Sequence, residues 1–498
     1  MTDVPATAAP AAGAVDDDAR ERTARLILAA TIAVFVVAMA VQLAGDAYLR
    51  GDGSYYLRDA ARFADGHLPQ SRYSPGFAFL LAPILMLLGD NYTVAGSVTI
   101  ALNMVFSVVA FGLLYRFLRT WLEPILAATS VAVFALSQGV VTYFAEVRPE
   151  ALCLLLLTGM LLALKGGRPW LGVALGGLVM LVRIAVAPLV LVTLAVFLRR
   201  RPKLLAATAA LFVVAAVAYL ATQSPTDQSY LEVGGKSYQP HGGATGRVGA
   251  LLRPVGVGVV HYVQFGLPRL AVPFRVLNTG LGPIIGVGVT GAMAGGAIML
   301  LRRRPVSRAL LVSTVAGFGI YLPTLIGWPV RSLAAVRLIT PAPVVPMLGL
   351  ATAAAWVGGR LFPGRRRAAV VTIMGLVAFM SAAGSVSAIS DHINDGEVGR
   401  KSFVAAHEAA RGRFPPGRLI SSRPGASELL TGVRAVGYPI RRDVDEFARK
   451  VQVCAAVLSP DSSEEAAAWV ELYRGRTLAS VAGTEVVAVI RPWCPDRS

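Results

Sequence analysis

Apolar blocks separated by short basic clusters run through most of this chain, at about 26–44, 93–117, 124–143, 149–165, 170–198, 204–222, 277–301, 309–327, 338–357 and 368–388. Most approach the length of about 20 residues that a helix needs to cross a bilayer. The block Trp170–Leu198 is too long for one crossing and carries Arg183 near its middle, followed by Pro188. It predicts two short helices meeting at the outer side, which makes about eleven crossings. The apolar stretch Phe77–Leu88 is shorter than a crossing and predicts a re-entrant or interfacial helix.

The basic clusters set the orientation. With the N-terminus in the cytoplasm, Arg116/Arg119, Lys165/Arg168, Arg199/Arg200/Arg201/Lys203, Arg302/Arg303/Arg304/Arg308 and Arg360/Arg365/Arg366/Arg367 all face the cytoplasm, as the positive-inside rule demands. The same parity puts residues 45–92, 144–149, 223–276, 328–337 and everything after about 388 on the outer side. The expected protein is a multi-pass component of the plasma membrane.

Composition agrees. The chain has 498 residues, 55% hydrophobic and 15% charged, whereas soluble chains carry about 25% charged residues. Its net charge of +18 lies in topogenic clusters, so nucleic acid is not an expected partner. Residues 1–25 read as a disordered cytoplasmic tail, Ala/Pro-rich and acidic at first. The expected organisation is this tail, a transmembrane domain over 26–388, and an extracytoplasmic domain over 389–498.

After Ser390 the pattern becomes charged and amphipathic. Strands are predicted at Arg418–Ser422, Arg434–Tyr438, Val453–Ser459 and Glu485–Pro492, and helices at Asp443–Lys450 and Ser463–Tyr473, a small α/β domain. The nearest thing to a phosphate loop is Arg423-Pro424-Gly425-Ala426-Ser427, a weak match, so the domain is expected to support binding. Cys153 lies in an apolar block and reads as a packing residue. Cys454 and Cys494 are the candidate disulfide of an oxidising compartment.

Candidate chemistry gathers on the outer loops. The first contains Asp46, Asp52, Tyr55, Tyr56, Asp59, Asp65 and His67, then Arg72-Tyr73-Ser74-Pro75-Gly76. The second is the turn Tyr143-Phe144-Ala145-Glu146-Val147-Arg148-Pro149-Glu150. Ionisable groups at a membrane are costly and mark functional sites. A carboxylate there can take a proton from an attacking hydroxyl or hold a divalent metal, and an arginine can neutralise a leaving phosphate. Asp46 and Asp59 compete with Asp52 for the first role, Asp59 being expected on an interfacial helix and solvated. Glu146 or Glu150 could instead cap the following helix, and Arg148 could pair with one of them. Lys236, Arg247, Arg253, Arg269 and Arg275 on the long outer loop are further cations, while His241 and His261 lack metal-ligand spacing.

These residues resemble the polytopic glycosyltransferases of the GT-C fold that use polyprenyl-phosphate sugars, in particular the protein-mannosyltransferase and aminoarabinose-transferase branch (family 39-like). The resemblance covers roughly 26–360. It rests on Gly51-Asp52-Gly53-Ser54-Tyr55-Tyr56 through Ala64-Asp65-Gly66, on Tyr73-Ser74-Pro75-Gly76, on Arg148-Pro149-Glu150, on Arg183, and on Arg337-Leu338-Ile339-Thr340-Pro341 opening a late span. It departs from the family pattern at Gly53, where a second carboxylate is common, at the second turn, which has Glu for Asp, and at Leu338, where an aromatic is common.

The resemblance implies an all-α polytopic domain and an inverting hexosyl- or pentosyltransferase, mannose being one candidate sugar. Asp52, Glu146 and Glu150 would be catalytic, and Arg148, Arg183 and Arg337 would bind the donor phosphate. Asp52 and Glu146 would hold a divalent metal, Mg or Mn, where one is used. The implied partners are a polyprenyl-phosphate sugar, the bilayer and an acceptor that is protein, lipid or polysaccharide. A transporter or lipid flippase is the alternative, but transporters often show internal repeats with broken helices in matching halves, no such repeat is evident, and the acidic groups gather near one face instead of the midplane. A scaffold for envelope assembly acting through the outer domain is a third.

Overall fold

The computed structural model describes residues 12–43, 52–69, 73–89, 91–222, 259–303, 307–326, 337, 339–415, 417–421, 424–431, 433, 435–436, 449, 452–458, 476–481, 484–488 and 494. Asp46, Lys236, His241, Arg247, Arg253 and the two predicted helices Asp443–Lys450 and Ser463–Tyr473 lie outside them, Arg449 excepted.

The helices are α1 (Ala12–Val41), α2 (Gly53–Ala64), α3 (Pro75–Leu88), α4 (Tyr92–Leu118), α5 (Pro124–Ala135), α6 (Gln138–Phe144), α7 (Glu150–Lys165), α8 (Pro169–Val182), α9 (Ala187–Leu198), α10 (Pro202–Ala221), α11 (Gly282–Arg302), α12 (Arg308–Ile326), α13 (Val344–Leu361), α14 (Arg366–Ala410) and α15 (Pro424–Thr431). Pro at the first turn opens α3, α5, α8 and α10, where its missing N–H costs no hydrogen bond.

Among the described residues seven helices are long and apolar enough to cross a membrane, and α5 with α6, bent by 59°, can make an eighth. The other expected crossings are helices too, but short: α7 has 16 residues, α8 has 14 and α9 has 12. The break between α8 and α9 falls at Arg183, with a 3₁₀ turn at Ile184–Val186. The short apolar α3 has 14 residues, fewer than a crossing requires.

The first helix starts at Ala12, so residues 12–25, expected as a disordered tail, form its opening turns. Opposite charges at helical spacing support them, Arg20 with Asp17, Arg22 with Asp18 and Arg25 with Glu21.

With lipid outside, close backbone approach rather than water exclusion joins the helices. Helices α11 and α13 touch at Gly296 and Gly349, where an added Cβ would run into the partner helix's backbone. One apolar core runs through the bundle around Phe35, Phe111, Phe134, Val190 and Met347.

The 45-residue α14 continues without a break past position 389 into the C-terminal domain. There β1 (Arg418–Ile420), β2 (Ala435–Val436), β3 (Val453–Leu458), β4 (Arg476–Val481) and β5 (Thr484–Ala488) form a sheet of order β2-β1-β3-β5-β4. The β1 strand is parallel to β2 and β3, and α15 links β1 to β2; β5 is antiparallel to β3 and β4. Pro424-Gly425-Ala426-Ser427, from the stretch weakly similar to a phosphate loop, forms the first turn of α15. A disulfide joins Cys454 to Cys494, with Cα atoms 5.4 Å apart, and Cys153 is buried and free.

A second apolar core binds this domain to the bundle. It combines Tyr56, Leu57, Tyr73, Phe77, Val147, Leu152 and Val182 with Phe403, Ala426, Ala435 and Val457. The loops at this end of the bundle and the sheet domain therefore share one interior.

Candidate functional site

Asp52 is the N-cap residue of α2; its carbonyl receives the Tyr55 and Tyr56 N–H groups at 3.1 and 3.4 Å, which starts the helix. Its side chain is left to turn away from the helix axis and meets the Arg337 guanidinium.

The turn between α6 and α7 is held from outside its own segment. Asn103, a polar residue inside the apolar α4, donates its amide to the carbonyls of Glu146 and Arg148 at 2.8 and 3.1 Å. The turn is thus fixed with Arg148 against Glu146 and its guanidinium 5.1 Å from the centre of the Tyr143 ring. Burial pushes the Glu146 carboxyl above the usual carboxylate range; Arg148 opposes that shift, and Asp52 and Glu150 add to it.

Arg183 occupies the break between α8 and α9 in extended backbone. Its guanidinium reaches Glu150, the first residue of α7, at 2.5 Å. The motif Tyr73-Ser74-Pro75-Gly76 builds that break. The Ser74 hydroxyl accepts the Ile184 N–H at 2.9 Å, and Gly76 lets α3 press on the end of α8, where an added Cβ would lie 2.7 Å from the Leu181 carbonyl oxygen. Tyr73 stacks near Tyr55 and Tyr56, with ring centres 5.4 and 5.0 Å away.

Arg337 closes the cluster. Besides Asp52 it faces Glu150, with Nε 3.4 Å from Oε1. Asp52, Glu150, Arg183 and Arg337 form one chain of charges, and Glu146 with Arg148 lies close enough to feel Asp52, Glu150 and Arg337. Three carboxylates balance three arginines. Low polarity around them makes these interactions strong and makes any unpaired member costly.

Arg269 stands beside this balanced set. It sits in the 3₁₀ turn Pro268–Leu270, is buried, and packs its guanidinium 4.2 Å from the Phe274 ring centre. Among the described residues its Nε and Nη1 have no hydrogen-bond partner, and it interacts electrostatically with Tyr143. Burial lowers its pKa to about 10, which leaves it a cation at neutral pH. The turn is held by Ser381 of α14, which donates to the Ala271 carbonyl at 2.9 Å, and by Gln138, which accepts the Phe274 N–H at 3.1 Å.

All six candidate residues, Asp52, Glu146, Arg148, Glu150, Arg183 and Arg337, come together at one end of the bundle. Neither Glu146 nor Glu150 caps a helix by its side chain, since the N-cap position of α7 is Pro149. Asp59, expected to be solvated, is 2% exposed and paired with Arg58 at 3.1 Å. Arg275 is exposed, and His261 lies near Phe265. Sequence reasoning passed over Asn103 and Gln138; of these Asn103 alone carried a signal, as a polar residue within a spanning block.

A divalent cation of the Mg or Mn type takes six or more oxygen ligands. Here Asp52 is engaged by Arg337 and Glu146 by Arg148, and among the described residues no three His, Cys, Asp or Glu side chains are grouped to hold a metal ion. The donors fit arginine partners better than a resident cation.

The profile of glycosyltransferase family 87 matches residues 72–325, half of the chain. No curated protein matches the sequence. Among solved structures, ArnT from Cupriavidus metallidurans in the apo state aligns over 95% of this chain and 98% of its own, at 15% identity and a TM-score of 0.53. The same ArnT bound to undecaprenyl phosphate aligns over 95% and 99%, at 14% identity and a TM-score of 0.46. The archaeal oligosaccharyltransferase AglB from Archaeoglobus fulgidus, in complex with an inhibitory peptide and a dolichol-phosphate, aligns over 86% and 69%, at 12% identity and a TM-score of 0.47. The bundle with its appended domain is therefore of the GT-C type shared with apo ArnT.

Proposed function

This chain belongs to glycosyltransferase family 87, and from that premise we propose that it moves a sugar from a polyprenyl-phosphate carrier to an acceptor at the non-cytosolic face of the membrane. Family membership disfavours the transporter or flippase reading. The observation that carries the proposal is the convergence of Asp52, Glu150, Arg183 and Arg337 at one end of the bundle, beside the surplus cation Arg269.

A sugar phosphodiester carries one negative charge. The three carboxylates and three arginines cancel, so Arg269 supplies the matching positive charge, with two nitrogens that have no hydrogen-bond partner among the described residues. An acceptor hydroxyl attacks the anomeric carbon from the face opposite the phosphate, its proton passes to Asp52, and the carrier leaves as a phosphate monoester with one more negative charge. Arg337, which the proton's arrival releases from Asp52, is the group best placed to follow that charge. Arg148 and Arg183 hold Glu146 and Glu150, and through them the position of Arg337. Attack from the opposite face inverts the anomeric centre. That ArnT has been captured with undecaprenyl phosphate supports a lipid carrier for a chain of the same fold.

The test is transfer of labelled sugar from a polyprenyl-phosphate donor in membranes. Asp52→Asn lowers the rate by about a hundredfold or more, the range of a lost general base; transfer at the wild-type rate removes Asp52 from the mechanism. Arg269→Ala raises the donor KM, and the absence of any such rise removes Arg269 from the phosphate site.

A further inference from the structure

Two turns beyond Asp52, α2 carries a second charge cluster that reaches into the C-terminal domain. Arg58 and Arg62 both grip Glu428 of α15, Arg58 Nη1 at 3.4 Å and Arg62 Nη2 at 2.6 Å. Arg58 also holds Asp59 through Nε and Nη2 at 3.2 and 3.1 Å. Glu428 in turn accepts the Ala435 N–H at the edge of the sheet, at 3.5 Å. Arg58 is 5% and Asp59 2% exposed. Two cations and two anions balance across the boundary between the bundle and the sheet domain.

The contact surface between α2 and the domain is already apolar, with Leu57 and Ala60 against Ala426 and Ala435 in one core. A hydrophobic surface holds elements together but permits sliding, whereas paired charges fix one register; a buried ion cluster adds little net stability and its best-attested use is registry. What the register fixes here is the N-terminus of α2. Asp52 is bonded through its carbonyl to the first turn of that helix, so a rotation or shift of α2 moves the carboxylate relative to Arg337. Aromatic contacts to Tyr73, Phe77 and Phe79 also tie α2 to its neighbours, but a ring contact fixes register less strictly than a charge pair does.

We propose that Glu428 is a positioning residue for the transfer reaction: through Arg58 and Arg62 it sets α2, and with it Asp52, so that the C-terminal domain is a working part of the transfer site. This rests on the reading of Asp52 as the proton acceptor. An error of about 1 Å in such a group costs about a hundredfold in rate, while binding of the donor on distant arginines is little affected. Glu428→Gln keeps shape and a hydrogen-bond acceptor but removes the charge that both arginines need; Glu428→Asp keeps the charge.

The experiment uses the full-length protein in membranes or nanodiscs and measures kcat and donor KM for transfer, together with hydrogen exchange over residues 53–64, for wild type, E428Q, E428D and D52N. The expected result for E428Q is faster exchange in α2, a kcat lowered about tenfold or more and a donor KM changed less than twofold, with E428D recovering most of the rate. Wild-type kcat in E428Q, or a loss of rate with unchanged exchange in α2, overturns the proposal. Undiminished transfer by D52N overturns the underlying reading instead, whatever E428Q does.

Discussion

At the scale of single residues, the site is built by side chains whose work is to hold backbone. Ser74 and Gly76 illustrate it: one accepts a stray N–H at the α8–α9 break, the other lets two helix ends approach until no Cβ fits between them. Arg183 reaches Glu150 from that break. Gly76→Val must force the ends apart, and overpacking of this kind costs about 1–3 kcal/mol, whereas Ser74→Ala loses one hydrogen bond worth about 1 kcal/mol. Melting temperatures of purified protein are expected in the order wild type, S74A, G76V, with sugar transfer falling in the same order; a G76V protein that melts with wild type would contradict the packing described. The candidate acids and arginines were legible because charge in or beside an apolar chain is conspicuous. The pairing of Arg148 within its own turn was legible too, but the long-range pairs were not, for Glu150 meets partners 33 and 187 positions away, and nothing in one sequence says which distant charges meet. Asp59 shows the converse: an acid that looks solvated on an amphipathic helix is buried because a domain hundreds of residues later covers it.

Element boundaries followed periodicity where helices are apolar and failed where charge or brevity took over. The first helix begins in a segment whose acidic and basic residues fall at i,i+3 and i,i+4 spacing, a pattern overshadowed by its Ala/Pro-rich start. The β4 strand, Arg476–Val481, was missed because its short sequence, with no β-branched or aromatic run, gains strand character from pairing with β5. At the far end of α14, His407 joins helix to sheet domain. Its Nδ1 donates to the Phe403 carbonyl at 2.7 Å and its Nε2 faces the Ser427 hydroxyl at 2.9 Å, all of it buried. Burial lowers its pKa to about 4, against the weaker opposing pull of the Phe403 carbonyl. The unfolded chain therefore binds this proton first, near pH 6.5, and the folded chain only near 4. Stability from this group is complete above pH 6.5 and declines as pH falls toward 4, by roughly 3 kcal/mol in all. Hydrogen exchange of β1 and β3 is expected to quicken, relative to the intrinsic rate, between pH 7 and pH 5 in wild type but not in His407→Gln; equal pH dependence in both would assign it to other groups.

For the whole molecule, the parity of apolar blocks and basic clusters predicted that the first loop, the 144–149 turn and the C-terminal domain share one face, and the common core of α2, α3 and the sheet brings them together at one end of the bundle. Which side of the membrane that end faces follows from the arginines at the opposite ends of the helices, since short basic loops resist translocation. Two exposed positions mark the two ends: His67 after α2, and Arg200 between α9 and α10. The chain's own thiols leave little background, because Cys153 is buried and Cys454 is bonded to Cys494. A membrane-impermeant maleimide is expected to label His67→Cys in intact cells and Arg200→Cys only after permeabilisation. The reverse pattern would turn the transfer site to the cytoplasm, where the carrier and acceptor would have to be sought instead.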